Sequence, residues 1–311
     1  MRAAAAATAR AARGAGWLAP GLALVGLIVA YPLVRVVEWS LTDRTTFLDG
    51  SFVGLDNYRQ LLSDELFWRA FTNNLILLLS VPLSIAIALV VTGVLYRGLR
   101  GGRLYELAIF VPFLPAVASI AVVFLYVLSA GGPLNELLRG AGAGALAQPW
   151  LTDADVAIWS VLGVVLWKRI GFTVLLLTAR MASIDRTLLD AAAVDGAGWW
   201  RTYWQVAVPG MRGIVAFAAV LGFIEAFSWT FAYVVILTRG GPDRATYTLE
   251  YLLYRLQFDE QLVGLASAVA VAACAGNHYD LPAIRDIVWN RGSGHRPLSI
   301  EVLPWIPEIT P

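Results

Sequence analysis

Residues 71–95 read FTNNLILLLSVPLSIAIALVVTGVL, twenty-five positions without one charged side chain. A helix needs about 20 mostly apolar residues to cross a hydrocarbon core roughly 30 Å thick, so this stretch reads as a membrane span. Working outward, four more runs have the same character: Trp17 to Val37, Leu104 to Ala130, Val156 to Ala179 and Gly213 to Leu237. A sixth begins near Gln261 and stops being apolar at Gly276. At about 1.5 Å per residue it reaches about 24 Å, short of the core.

The composition agrees. Of 311 residues 59% are apolar and 14% charged, against about 45–50% and about 25% in a soluble domain. That excludes a soluble enzyme, and it excludes disorder, which needs low hydrophobicity and high net charge. A net charge of +1 gives no electrostatic case for nucleic acid. The single cysteine, Cys274, makes neither an intrachain disulfide nor a multi-cysteine zinc site. His278 and His295 have no metal-ligand spacing, so no metal site is expected. The fold class is all-α, a multi-pass transmembrane helical bundle of about six spans.

Arginine distribution sets the expected orientation. With the N-terminus inside, the internal segments carry ten arginines (2, 10, 13, 97, 100, 103, 180, 186, 201, 212) and the external ones seven (44, 59, 69, 139, 239, 244, 255). The N-terminus is therefore placed in the cytoplasm of a cell-membrane protein. Residues 1–16 form a cytoplasmic tail, 17–276 the transmembrane domain, and 277–311 an atypical tail. The first run follows Arg2, Arg10 and Arg13 but shows no small-residue cleavage site, and reads as an uncleaved span.

Ionisable groups inside spans are costly and normally face a bundle interior or a wet cavity. Lys168 and Arg169 sit mid-way along the fourth run and Glu225 near the centre of the fifth, with Trp229 one turn on. These four are candidate pathway residues, and an interhelical ion pair between Glu225 and Lys168 or Arg169 stands as the equal alternative. Asn73 and Asn74 suit interhelical hydrogen bonds. Pro32, Pro82, Pro112 and Pro115 are expected to break or kink their spans.

The loop between the fourth and fifth runs, 180–212, is long enough to need structure of its own. Asp185 is placed to cap a helix from Arg186 to Val194, and Asp195-Gly196 to form a turn. A second short helix from about Gly198 sets Trp199 over Tyr203 and Trp200 over Trp204, with Pro209 marking its end. Such an element either docks another protein through small residues at Ala191, Ala192 and Ala197 or anchors in lipid headgroups.

The string from Asp190 to Pro209 resembles the EAA motif of permease subunits in binding-protein-dependent ABC importers. Ala191, Ala192, Asp195, Gly196, Ala197, Tyr203 and Pro209 fall on it in register, with Asp190 where the family usually has glutamate. Thr238-Arg239-Gly240-Gly241-Pro242, Phe71-Thr72-Asn73-Asn74 and Gly132-Pro133-Leu134-Asn135 are similar to segments of the maltose and glycerol-phosphate importer branch. The resemblance implies a non-enzymatic permease subunit for a carbohydrate or similar polar solute. It pairs with a second permease subunit as a heterodimer and is served by an extracytoplasmic solute-binding protein. Asp190, Ala191, Ala192, Asp195, Gly196 and Ala197 become a cytoplasmic coupling helix against ATP-binding subunits. ATP and Mg belong to those subunits: a P-loop needs Gly-Lys-Ser/Thr, and the only lysine here precedes Arg169. Importers of other solutes, and, in a different class, a secondary transporter or membrane-embedded enzyme, are the rival readings.

The stretch Gly276-Asn277-His278-Tyr279-Asp280 opens a segment holding both histidines and five prolines. A change of reading frame or a joined foreign segment is the first reading of it, and a divergent genuine terminus the second.

Overall fold

Away from water each backbone N–H and C=O has to find a partner within its own segment, which makes apolar runs helical. The computed structural model describes residues 19–21, 23–46, 48–98 and 101–276. The alanine-rich leader 1–16 and the tail 277–311 lie outside the described residues.

The first span is α1 (Ala19–Ser40), with a π turn over Gly26–Ala30 just before Pro32, which has no N–H for the ladder. Asn57, at the start of α2 (Asp56–Ser63), fastens the end of α1 by donating to the carbonyls of Ser40 and Thr42 at 2.9 and 2.8 Å. The second span, α3 (Glu65–Tyr96), is 32 residues long. Asp64 caps it by accepting from the Leu66 amide. Pro82 does not break it: after a one-residue interruption at Leu79, Pro82 falls in the first turn of the following segment, Ser80–Tyr96, where a missing N–H does little harm.

The third run corrects the expectation of one span from Leu104 to Ala130. It is two helices, α4 (Gly102–Phe113) and α5 (Val117–Val127), meeting at 94°. Pro112 and Pro115 each withdraw a donor, and Ala116 turns extended in ψ at 148°. After the short α6 (Pro133–Gly140) comes the unbroken fourth span, α7 (Ala157–Ala182). The loop that follows forms α8 (Arg186–Val194) and α9 (Trp199–Gly210), the latter widened by a π turn over Tyr203–Ala207. Pro209 does not end α9; it sits in the first turn of the closing segment Val208–Gly210, and the chain bends by 65° at Met211.

The fifth run is also divided, into α10 (Arg212–Ser228) and α11 (Phe231–Leu237), with the break at Trp229-Thr230. α12 (Leu249–Tyr254) runs into a π turn over Arg255–Asp259, and α13 (Val263–Gly276) follows. Among the described residues three helices are long and apolar enough to cross a membrane alone, and up to five segments are if each bent pair counts as one span. α13, with 14 residues, is the sixth, short segment.

α3 and α7 make the most extensive helix pairing. Ser80, Ser84, Ala88 and Thr92, four apart on α3, are all fully buried; small side chains at that spacing let helix backbones approach where lipid offers no hydrophobic drive for association. Asn73 donates to the carbonyls of Ala245 and Tyr247 at 2.7 and 2.8 Å, and Asn74 accepts from the Leu249 amide at 2.8 Å. Both asparagines therefore tie α3 to the segment after the fifth span.

Candidate functional site

Two groups of residues stand out, one in the bundle and one in the 180–212 loop. In the bundle, a cavity of about 330 Å3 is bounded by Lys168, Arg169, Glu225, Trp229, Ser80 and Tyr233, together with Phe113 and Pro115–Val117 at the third-span break. All four ionisable or aromatic candidates from the sequence meet in it. They do so because α10 meets α7 at the Arg169–Glu225 level and both neighbouring breaks, at Phe113–Ala116 and Trp229-Thr230, border the cavity.

Arg169 is 7% exposed. Its Nη1 donates to Glu225 Oε2, and its Nη2 reaches the Ala218 carbonyl at 3.4 Å. The ion pair anticipated as an alternative is thus formed, by Arg169, and Glu225 still lines the cavity. Lys168 does otherwise: its Nζ donates to the carbonyl oxygens of Phe113 at 2.7 Å and Pro115 at 2.8 Å. Trp229, the residue that follows α10 as its C-cap, is 64% exposed and lines the cavity. Beside it Thr230 donates to Glu250 at 2.8 Å, and Glu250 also accepts from Asn74. Ser80 Oγ and Arg169 Nε, both on cavity-lining residues, are buried without a hydrogen-bond partner among the described residues.

Chemically this is an apolar chamber with two cations, one of them paired to a carboxylate, with hydroxyls and with the rings of Phe113, Phe172, Trp229 and Tyr233. Such a mixture suits a polar solute with apolar faces.

The loop folds as its sequence indicates. Asp185 accepts from the Thr187 amide at 2.9 Å and caps α8; that bond holds the carboxyl below its ordinary range. α8 ends in a Schellman motif: Ala197 N–H donates to Ala192 O and Gly196 N–H to Ala193 O, with Gly196 at φ +77°. That closure half-buries Ala192 and Ala197, while Leu188, Asp190, Ala191, Val194 and Asp195 stay exposed, Val194 at 88%. The surface on offer is therefore Leu188–Ala191–Val194 rather than the three alanines expected. Trp199 stacks on Tyr203 at 6.2 Å as expected, while Trp200 meets Tyr203 edge-on at 5.9 Å.

Sequence reading missed what holds this loop to the bundle. Tyr203 is fully buried and donates to the Leu89 carbonyl at 2.6 Å; Trp199 Nε1 donates to the Gly93 carbonyl at 3.2 Å. A Cβ on Gly93 would stand 2.9 Å from both Trp200 and Tyr203. Gly222 plays the same part in the cavity, since a side chain there would overlap the Arg169 guanidinium. Glycines inside two apolar runs were the only available signal.

The sequence profile of the family described as "Binding-protein-dependent transport system inner membrane component" matches residues 80–277. The chain is 30% identical over 268 residues to the diacetylchitobiose uptake system permease protein NgcF of Streptomyces coelicolor, covering 82% of this chain and 76% of that one. It is 31% identical over 245 residues to the sn-glycerol-3-phosphate transport system permease protein UgpA of Yersinia pestis, covering 77% and 81%. Its fold matches a chain of a bacterial alginate ABC transporter solved in complex with alginate pentasaccharide-bound periplasmic protein, with a TM-score of 0.75 at 19% identity over 91% and 96% of the two chains.

Proposed function

The chain belongs to the family of binding-protein-dependent transport system inner membrane components, and from that premise we propose that its cavity is the translocation pathway for a carbohydrate or a similar polar solute. It is a multi-pass permease subunit of an ABC importer that works with a solute-binding protein, which sets aside the secondary-transporter and membrane-enzyme readings.

The observation that carries the reading is the convergence of Lys168, Arg169, Glu225 and Trp229 on one chamber between divided spans. Trp229 offers a ring face to the apolar face of a sugar, while Glu225, Thr230 and Tyr233 offer partners to hydroxyls. Carbohydrate names among the relatives point the same way. The arginine balance favours a cytoplasmic N-terminus, which puts the 180–212 loop inside the cell. There the exposed face of α8, with Asp190, Ala191 and Asp195, seats on a separate ATP-binding subunit that holds ATP and Mg. A second permease subunit completes the pathway as a heterodimer.

Reconstitution with the partner subunits tests this through uptake of a labelled panel of neutral mono- and oligosaccharides beside glycerol phosphate and amino acids. Saccharide uptake that requires ATP inside, with a half-saturation raised about tenfold by Trp229→Leu, is the expected result. Uptake confined to amino acids would overturn it.

A further inference from the structure

The break in the third span frees backbone carbonyls from the helix ladder, and each needs another partner. Those of Phe113 and Pro115 both turn to Lys168 Nζ, at 2.7 and 2.8 Å, and the Phe113 ring stands 5.0 Å from the same ammonium. One turn along α7, Phe172 stacks on Phe113 at 4.7 Å. Gly171 lets the Ile109 backbone in so closely that any side chain there would overlap it. Further along, Thr178 donates to Glu106 at 2.6 Å. Up to the break, then, α4 is fastened to α7 rung by rung.

Past the break the partners change. α5 packs chiefly against α11, the half of the fifth span that lies past its own break at Trp229-Thr230. Ile120 and Ala121 of α5, and Leu128 just past its end, share a buried apolar cluster with Tyr233 and Leu237 of α11, resting on Ile158 to Val164 of α7. Both breaks border the same cavity, and residues from both line it.

We propose that α5 and α11 form one leaf that opens and closes the cavity, that the leaf pivots at the two breaks, and that Lys168 is the positioning residue that pins the pivot to α7. α7 runs without interruption from Lys168 to Ala182 and, after three residues, into α8. Arg180 near its end also donates to the Gly210 carbonyl at 3.1 Å. Displacement of α8 therefore reaches the pivot through one continuous helix, a hinge transition with named hinge points. Lys168 in this role holds backbone and leaves solute contact to Trp229 and Glu225. The inference rests on the proposed coupling of α8 to an ATP-binding subunit.

The test uses the assembled transporter in a Cys274→Ser background, with spin labels at Leu104→Cys and Val123→Cys, exposed positions on α4 and α5. A control pair joins Leu104→Cys to Trp159→Cys, an exposed position on α7. Adding ATP, Mg and vanadate is expected to change the Leu104–Val123 distance and leave the control pair unchanged. Lys168→Met is expected to cut the fraction of molecules making that change at least about tenfold, as loss of one hydrogen bond to a charged group would; Lys168→Arg, which keeps donors, restores it. A Leu104–Val123 distance indifferent to ATP, or an undiminished response in Lys168→Met, overturns the pivot. If α8 itself fails to respond to ATP in cross-linking to the ATP-binding subunit, the coupling reading falls first and the pivot with it.

Discussion

The guanidinium of Arg169 occupies the space in which a side chain on Gly222 would stand. The fourth and fifth spans can thus exchange a charge pair only because one of them carries no Cβ at that level. Gly222→Ala should push Arg169 away from Glu225 and strand a buried charge, at a cost of about 3 kcal/mol or more. Thermal unfolding of the purified transporter measures this, and an unchanged midpoint would contradict it.

The Arg169–Glu225 pair should behave as a unit. Glu225→Leu is expected to destabilise by about 3–5 kcal/mol because it leaves the buried Arg169 without its partner, Arg169→Met by less because the Glu225 side chain is 38% exposed, and the double variant Arg169→Met/Glu225→Leu loses markedly less than their sum. A double-mutant cycle on denaturation reads the coupling directly. Strict additivity would show that the two groups do not interact.

How far the sequence alone leads differs between the two sites. The loop was legible in detail, because capping and turn chemistry are local: Asp185, Gly196 and the aromatic spacing each act within a few residues. In the bundle the four polar residues were visible as exceptions in apolar runs, yet their division of labour was not. Whether Lys168 bonds to a carboxylate or to backbone depends on the break at Phe113–Ala116, and two prolines three apart announce a disturbance without giving its angle. Pro82 carries the same signal and leaves its span whole. Gly93 and Gly222 matter through what lies opposite them, 106 residues away at Trp199 for the first; an apolar run does not disclose its neighbours.

Gly93→Val should lift the loop off the second span. A side chain there meets Trp200 and Tyr203, so overpacking of about 1–3 kcal/mol is expected, with the Trp199 and Tyr203 bonds to the Gly93 and Leu89 carbonyls lost. The expected readout is ATP hydrolysis that no longer responds to solute, together with a red-shifted tryptophan emission. Wild-type stimulation in Gly93→Val would contradict this.

Asp185 gives the loop a pH dependence. Its carboxyl is held below the ordinary aspartate value of 3.8 by the Thr187 amide. A depressed value in the folded state means that the cap is present above that range and is lost as pH falls through the lowered value. Amide protection at Thr187 and Leu188 should therefore hold above the ordinary aspartate value of 3.8 and fall only below it, while Asp185→Asn, which retains a side-chain acceptor, should remove the acid-dependent step. A fall in protection beginning near pH 6 would contradict the assignment.

α8 is the proposed point at which ATP-driven motion enters this chain. Val194, the most exposed large apolar side chain on that helix, is the position at which to ask. In membranes holding the whole transporter, with Cys274→Ser, Val194→Cys should cross-link to cysteines placed in the cleft of the ATP-binding subunit, with a yield that changes when ATP and Mg are added. No cross-link at any cleft position, with labelling of Val194→Cys from the outer face of the membrane instead, would contradict both the coupling role and the orientation.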